Sequence, residues 1–265
     1  MIISFGVTLL VLVAGIAVMT VGLWFGLPVL ARSRQITRIQ ERCKREKLIA
    51  LTFDDGPASD MTTKVLDMLD ELEVKATFFM IGDLVTRNED LARRVAEKGH
   101  LVASHTQDHL DAWRVGPLRG IRDFWAGLRT LKDRELEVSF FRPPKGNATL
   151  GTLLSCWARG CKMIWWTHDS GDSGFESGRS EMGISAILQK AFSGEKKRVP
   201  EEKILRPEMR EDLLRSLEVA GGIVLLHDGE RIFENSKALT LECTRDIVER
   251  AKKNGFRFVT LEELT

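Results

Sequence analysis

From Leu48 to Val259 the chain alternates short apolar runs with amphipathic stretches, a pattern that few architectures accept. The composition and spacing predict strands at Leu48–Phe53, Ala76–Ile81, Leu101–Ser104, Val138–Phe141, Lys162–Trp166, Gly222–Leu226 and Phe256–Val259. Helices are predicted between them at Met61–Leu72, Val85–Lys98, Pro117–Leu131, Leu150–Arg159, Glu208–Val219 and Lys237–Lys253. Gly99 and Gly160 close the helices that precede them. Strand and helix alternating about seven times implies parallel strands joined by crossover helices. At this length a closed or nearly closed β/α barrel is expected. No G-x-G-x-x-G follows the first strand, which argues against an open dinucleotide-binding sheet. In β/α barrels the chemistry sits at the C-terminal ends of the strands, so polar residues at successive strand ends should converge.

The first predicted strand runs into Asp54-Asp55 and is stopped by Gly56-Pro57. A buried strand that delivers adjacent carboxylates is costly unless their desolvation is offset. A metal ion offsets it, and Asp oxygens are ordinary zinc ligands; an Asp-Gly turn leading into a helix cap accounts for the same residues. The third strand ends in Ser104-His105-Thr-Gln-Asp-His109. Histidines at this spacing project to one side and can share a metal, although a lone histidine is more often structural. His100 is expected at the surface, at a helix end. The fourth strand ends in Phe141-Arg142-Pro-Pro-Lys145-Gly146, either a carboxylate clamp with an oxyanion-facing loop or an ordinary Pro-Gly turn. The fifth offers Asp169 and Asp172, and the sixth ends at His227 before an Asp228-Gly229 turn. One Asp and two His of this set make a three-ligand site with an open position, the arrangement of catalytic zinc. An Asp then remains as base and a His as acid, with an Arg and an Asp to tune them.

Residues 2–31 carry no charged side chain. As a helix this run exceeds the ~20 residues needed to cross a bilayer, and Pro28 is expected to end or kink it. A signal peptide normally has a basic start, which is missing, and a core helix is rarely apolar all round for so long, so an uncleaved anchor is expected. Arg32, Arg34, Arg38, Arg42, Lys44, Arg45 and Lys47 follow at once, against Glu41 and Glu46. Basic flanks stay cytoplasmic, which puts the large domain inside; the cluster can also lie on anionic headgroups or form a solvated linker. Residues 48–265 then hold 32 basic and 36 acidic side chains, so the basic excess belongs to the junction and argues for no nucleic-acid partner. Cys43, Cys156, Cys161 and Cys243 form no C-x-x-C pair, so a zinc–thiolate site is not expected and reduced, buried thiols are.

These segments resemble the NodB-type polysaccharide deacetylases, carbohydrate esterase family 4, over about Leu48 to Val259. Thr52-Phe-Asp-Asp-Gly-Pro57 is similar to the family's first motif, Ser104–His109 to its second, Arg142-Pro-Pro-Lys-Gly146 to its third and Leu226-His227 to its fifth. The resemblance implies an α/β fold, a distorted (β/α)7 barrel, here preceded by an N-terminal transmembrane helix. The expected division is an anchor at 1–31, a basic juxtamembrane linker at 32–47, and a catalytic domain at 48–265 with an insertion at about 174–207. The resemblance further implies Asp54 as general base, with Asp55, His105 and His109 holding a divalent metal, usually Zn2+, with Co2+ or Mn2+ as substitutes. Arg142 would orient Asp54, the Lys145 backbone N–H would face the oxyanion, and Asp172 would support His227, the general acid. The implied activity is removal of an N-acyl group from an amino sugar.

This sequence departs from the family in two places. Ser173 follows Asp172 where many members have Trp, and the 174–207 segment is longer than usual. It reads as a lid or membrane-facing insertion, or as a passive surface one. Inward orientation suggests a lipid-linked or nucleotide-linked sugar made at the inner leaflet, the lipid-linked one favoured, with membrane lipid as a neighbour; most of the family works outside the membrane on peptidoglycan or chitin-like chains. A non-haem iron oxygenase is disfavoured because His-x-Asp spacing is absent. A silent glycan-binding module is disfavoured because Asp54 and His227 are both present.

Overall fold

Strand β1 (Leu48–Gly56) is buried along almost its whole length, and its side chains alternate between two apolar layers. Ile49, Leu51 and Phe53 face outward to a layer of helices, whereas Leu48 and Ala50 face the inside of a curled sheet with Phe79, Ala103, Ile223 and Leu225. The computed structural model describes residues 2–172, 207–229 and 234–265.

Helix α1 (Ile2–Glu46) precedes β1, and α2 (Met61–Glu71) follows it. Next come β2 (Thr77–Met80), α3 (Gly82–Arg87), α4 (Glu89–Glu97), β3 (Leu101–Ser104) and α5 (Pro117–Lys132). The chain continues through β4 (Phe140–Phe141), a 3-10 turn (Pro144–Gly146), α6 (Leu150–Ala158), β5 (Lys162–Met163) and β6 (His168–Asp169). It closes with α7 (Pro207–Ala220), β7 (Gly222–His227), α8 (Glu234–Lys253), β8 (Arg257–Phe258) and α9 (Leu261–Leu264). Among the described residues the eight strands are parallel, in the order β5-β4-β3-β2-β1-β7-β6, with β8 pairing the lower end of β1. This is the expected distorted β/α barrel, left open between β5 and β6.

The lower half of α1 fills that opening. It packs between α6 and α7, and Ile39 and Cys43 join the inward-facing strand residues. The Gln35 amide donates to Met163 O at 2.7 Å and accepts from Trp165 N at 3.0 Å, doing for the free edge beyond β5 what a neighbouring strand would do. Pro28 does not end the helix, because the turns on either side of it are held by packing on the domain, where Pro28 and Val29 are buried.

Other departures are local. The helix predicted over 85–98 is two helices divided at Asn88, whose φ is −130°. His168–Asp169 forms a separate strand because Thr167 N and Ser170 N donate to Ile223 O and Leu225 O. His100 is buried, not at the surface: Gly99, at φ +78°, turns the chain back under α4, and Ala76 N donates to the His100 ring. All four cysteines are free and buried. The 174–207 segment, read as a lid or insertion, lies outside the described residues but for its last.

Candidate active site

A regular strand points consecutive side chains to opposite faces, so Asp54 and Asp55 should not share a site. The pairing of β1 with β2 slips between Asp54 and Gly56, and Asp55 takes φ +72°. This bulge re-aims Asp55 so that both carboxylates reach the barrel mouth. Gly56 is required there because a Cβ would stand 2.5 Å from an Asp228 carboxylate oxygen.

Asp54 is 3 % exposed and accepts from Arg142 Nη1 at 2.7 Å. The same nitrogen donates to Thr52 Oγ1 at 2.8 Å, and that hydroxyl donates to Val224 O. Arg142 is fully buried, with its guanidinium 4.0 Å from the centre of the Phe79 ring and 5.6 Å from that of Trp166. Burial lowers its pKa, and Asp54 opposes the shift.

Asp55 Oδ1 lies 3.0 Å from His109 Nε2 and 3.4 Å from His105 Nε2, and ligand atoms of all three residues lie within 4.8 Å of one another. The Arg142 carbonyl, 2.8 Å from His105 Nδ1, can only accept, so Nδ1 carries the proton and Nε2 presents a lone pair. Asp55 Oδ1 is buried and makes no hydrogen bond despite these distances. The His105 Nε2 lone pair facing the Asp55 carboxylate, with His109 Nε2 beside it, fits a cation. The ligand geometry holds strain as well: His109 takes φ +56° and Thr106 φ +67°. Burial works to raise the Asp55 carboxyl, but the neighbouring imidazoles outweigh it and hold it well below the usual range.

Across the mouth His227 Nδ1 lies 2.7 Å from Asp172 Oδ1. Asp172 is fully buried, and its Oδ2 accepts from His227 N and Thr240 Oγ1, each at 2.8 Å. Burial works against the charged imidazole, but Asp172, with Asp55 and Asp54 behind it, pushes His227 up to about 10. Register sets Asp54 of β1 directly beside His227 of β7. Lys145 takes φ +59°, and its side chain turns away to Asp111 Oδ2 at 3.1 Å. Its backbone N–H donates to no acceptor among the described residues.

Three further residues belong to this constellation. Asp228 is buried, accepts from Thr62 Oγ1 at 2.5 Å, and is pushed up to about 7 by burial, with Thr62 opposing and the Asp55 and Asp54 charges adding to it. Thr52 ties Arg142 to β7, and Asp111 ties the loop after β3 to Lys145 and Asn147. The available signals were Thr52 two residues before the Asp pair and an Asp directly after a strand-end His. Asp169, offered at the fifth strand end, accepts from Gly171 N, while its buried Oδ2 has no hydrogen-bond partner among the described residues; burial pushes it up to about 6. His168, between Thr167 and Ser216, is a buried structural histidine lowered to about 4 by desolvation.

The family profile described as polysaccharide deacetylase matches residues 41–156. The chain is 31 % identical over 219 residues to the peptidoglycan-N-acetylglucosamine deacetylase of Bacillus cereus, covering 83 % of this chain and 88 % of that one. It is 53 % identical over 220 residues to the chitooligosaccharide deacetylase of Rhizobium leguminosarum bv. trifolii, covering 83 % of each. Its fold resembles a crystal structure of a peptidoglycan N-acetylglucosamine deacetylase bound to a naphthyl N-hydroxybenzamide, with TM-score 0.62 over 83 % of this chain and 89 % of that one, at 22 % identity. The motifs, the barrel and the relatives agree, and the chain belongs to the NodB-type polysaccharide deacetylases, carbohydrate esterase family 4.

Proposed function

We propose that this chain is a membrane-anchored, divalent-metal-dependent hydrolase that removes the N-acyl group, acetyl first of all, from an amino sugar. The observation that carries the reading is the convergence of Asp55, His105 and His109 on one point, with Asp54 and His227 beside it. Asp55, His105 and His109 would hold the cation, zinc by preference and cobalt or manganese as substitutes. When bound it supplies a Lewis acid for the amide carbonyl and for water.

The remaining chemistry belongs to the chain's own groups. Asp54, fixed by Arg142, accepts a proton from the attacking water as its oxygen bonds to the acyl carbon. The Lys145 N–H donates to the carbonyl oxygen as negative charge develops there, an interaction of about 3 kcal/mol by analogy with other oxyanion donors. His227, held protonated by Asp172, gives its proton to the amine nitrogen as the C–N bond breaks. Carboxylate and free amine are the products.

The anchor is assigned within 1–31 and the catalytic domain to 48–265, with residues 24–46 of the intervening helix packed against that domain. The charge-free run supports the anchor, and the basic flank supports a cytoplasmic catalytic domain. The relatives named above are deacetylases of peptidoglycan and of chitooligosaccharides, which supports an N-acetylated carbohydrate as substrate. An extracytoplasmic polymer is the second reading, favoured by those same names. The test is incubation of metal-loaded and chelator-treated protein with N-acetylated sugars, followed by assay of free amine. Amine released only by the metal-loaded form supports the reading; equal release after complete metal removal would refute it.

A further inference from the structure

We propose that Arg32, supplied by helix α1, binds the phosphate of the substrate, and that this substrate is an N-acylated amino sugar joined through that phosphate to a membrane lipid. The proposal rests on the deacetylase reading above and names its substrate class.

The path of α1 carries the argument. Its lower end meets the start of β1, at the floor of the barrel, and Ile39 and Cys43 lie inside. Fourteen residues before Glu46, Arg32 has reached the opposite end, where the catalytic groups lie. Its guanidinium is 5.0 Å from the centre of the Trp166 ring, the ring that Arg142 also approaches. A Cβ at Gly146 would stand 3.1 Å from Arg32 Nη1 and 2.9 Å from Trp166, so the glycine of the third motif leaves room for both. The helix then runs on past the mouth: Trp24 packs over Gly151, and Phe25 meets Trp113 edge-on at 5.7 Å. From Val7 to Leu23 its large apolar side chains are exposed, and the apolar window has mean hydropathy 2.4 with none of it buried. The span therefore leaves from the catalytic face, and that face looks at the bilayer.

The charges identify what arrives there. Arg142 is bonded to Asp54 and Lys145 to Asp111. Arg32 has no hydrogen-bonded or ion-paired partner among the described residues; Asp169 attracts it and Arg142 repels it from a distance. Burial lowers it to about 10, so it is still charged at neutral pH. A half-buried cation without a partner is unfavourable until an anion reaches it, and the guanidinium fork matches phosphate. Arg32 lies eight residues inward of Trp24, ~12 Å along the helix, just past the few-ångström headgroup layer. A phosphate held at Arg32 would lie between the bilayer and the catalytic groups, with its sugar reaching beyond toward Asp54. A neutral N-acetyl polymer carries no group that needs this cation.

The same phosphate chemistry occurs in phospholipid headgroups, so the test separates the sources. Full-length protein in detergent is given N-acetylglucosamine 1-phosphate or the uncharged methyl glycoside of N-acetylglucosamine, and free amine is assayed. Binding of each sugar is measured by calorimetry, and binding to phosphatidylglycerol against phosphatidylcholine vesicles by flotation. Arg32→Gln should lower kcat/KM for the phosphorylated sugar about 10- to 100-fold, mostly through KM, the worth of a charge-assisted contact. The methyl glycoside should change less than about twofold, and Arg32→Lys should recover part of the loss. An equal fall on both sugars, or none on either, overturns the proposal. So does weaker flotation with phosphatidylglycerol at unchanged sugar selectivity, which would assign Arg32 to a headgroup. If wild type releases amine from neither sugar, Arg32-dependent binding of the sugar phosphate would uphold this proposal while the deacetylase reading falls. Binding that ignores Arg32 would overturn it whatever the turnover.

Discussion

Asp54 and Asp55 share a peptide bond and part company at their side chains: one is locked to a buried arginine, the other faces two imidazoles. Their replacements should therefore separate. Asp55→Ala or His109→Ala should lose bound metal, read by elemental analysis, and with it all measurable amine release. Asp54→Asn should keep its metal and lose activity by about 10²- to 10⁴-fold, the usual worth of a general base. His227 gives a sign that pH can test. As a proton donor it works only while charged, so activity falls as pH rises through its pKa. Asp172 raises that pKa, and Asp172→Asn removes the raising charge. The alkaline limb of the rate profile should then move to lower pH; a limb that stays in place would take the acid role from His227. The Asp, His and Arg residues of this site were legible because each stands at the end of an apolar run. Asp228 was not, since an Asp before Gly reads as turn chemistry, and only the fold packs its carboxyl beside Gly56.

At the scale of elements, the strand–helix rhythm gave the barrel its strands nearly in place, while α1 escaped the reading for a physical reason. A proline inside a helix costs ~3 kcal/mol in isolation. The sequence pattern therefore ends or kinks the helix near Pro28, but the packing of residues 24–46 on the domain outweighs that cost and the helix continues. The short strands β4, β5 and β6 were hard to delimit because they are tied by a few hydrogen bonds each, to partners distant in sequence. The role of α1 makes a prediction about truncation. Removing residues 1–23 should leave a folded domain with a cooperative melt. Removing residues 1–46 also deletes Ile39, Cys43 and the Gln35 contacts. Large core side chains are worth ~2–5 kcal/mol each against a total of ~5–15 kcal/mol, so this shorter chain should be unfolded or aggregated by circular dichroism and gel filtration. Gln35→Leu should act more mildly. It leaves Met163 O and Trp165 N without their partner, at about 1–3 kcal/mol, and the melting temperature should drop by several degrees. A 47–265 fragment as stable as the 24–265 fragment would show that the barrel closes without the helix.

For the whole molecule, one continuous helix would tie membrane orientation to catalysis if residues 1–31 anchor the chain as proposed. A flexible tether would let the domain turn any face to the lipid, whereas, with the proposed anchor, a helix seated inside the barrel would hold the mouth toward the bilayer on whichever side the domain lies. Which side that is depends on the flanks of the span. Residues 2–31 contribute no charge, while the next sixteen carry seven basic and two acidic side chains. Lys and Arg that follow a span closely oppose their own translocation, the usual bias toward the cytoplasmic side. Part of that cluster is spoken for, since Arg42 pairs with Glu46 and donates to Leu264 O, but Arg34 and Arg38 remain exposed. A carboxyl-terminal alkaline phosphatase fusion should therefore be inactive, and a fluorescent-protein fusion that matures only in the cytoplasm should shine. Replacing Arg34, Arg38, Lys44 and Arg45 with Gln should weaken that bias and let some of the phosphatase fusion become active. The opposite pattern in the unaltered chain would put the mouth on the outer leaflet and move the substrate to the sugars assembled there.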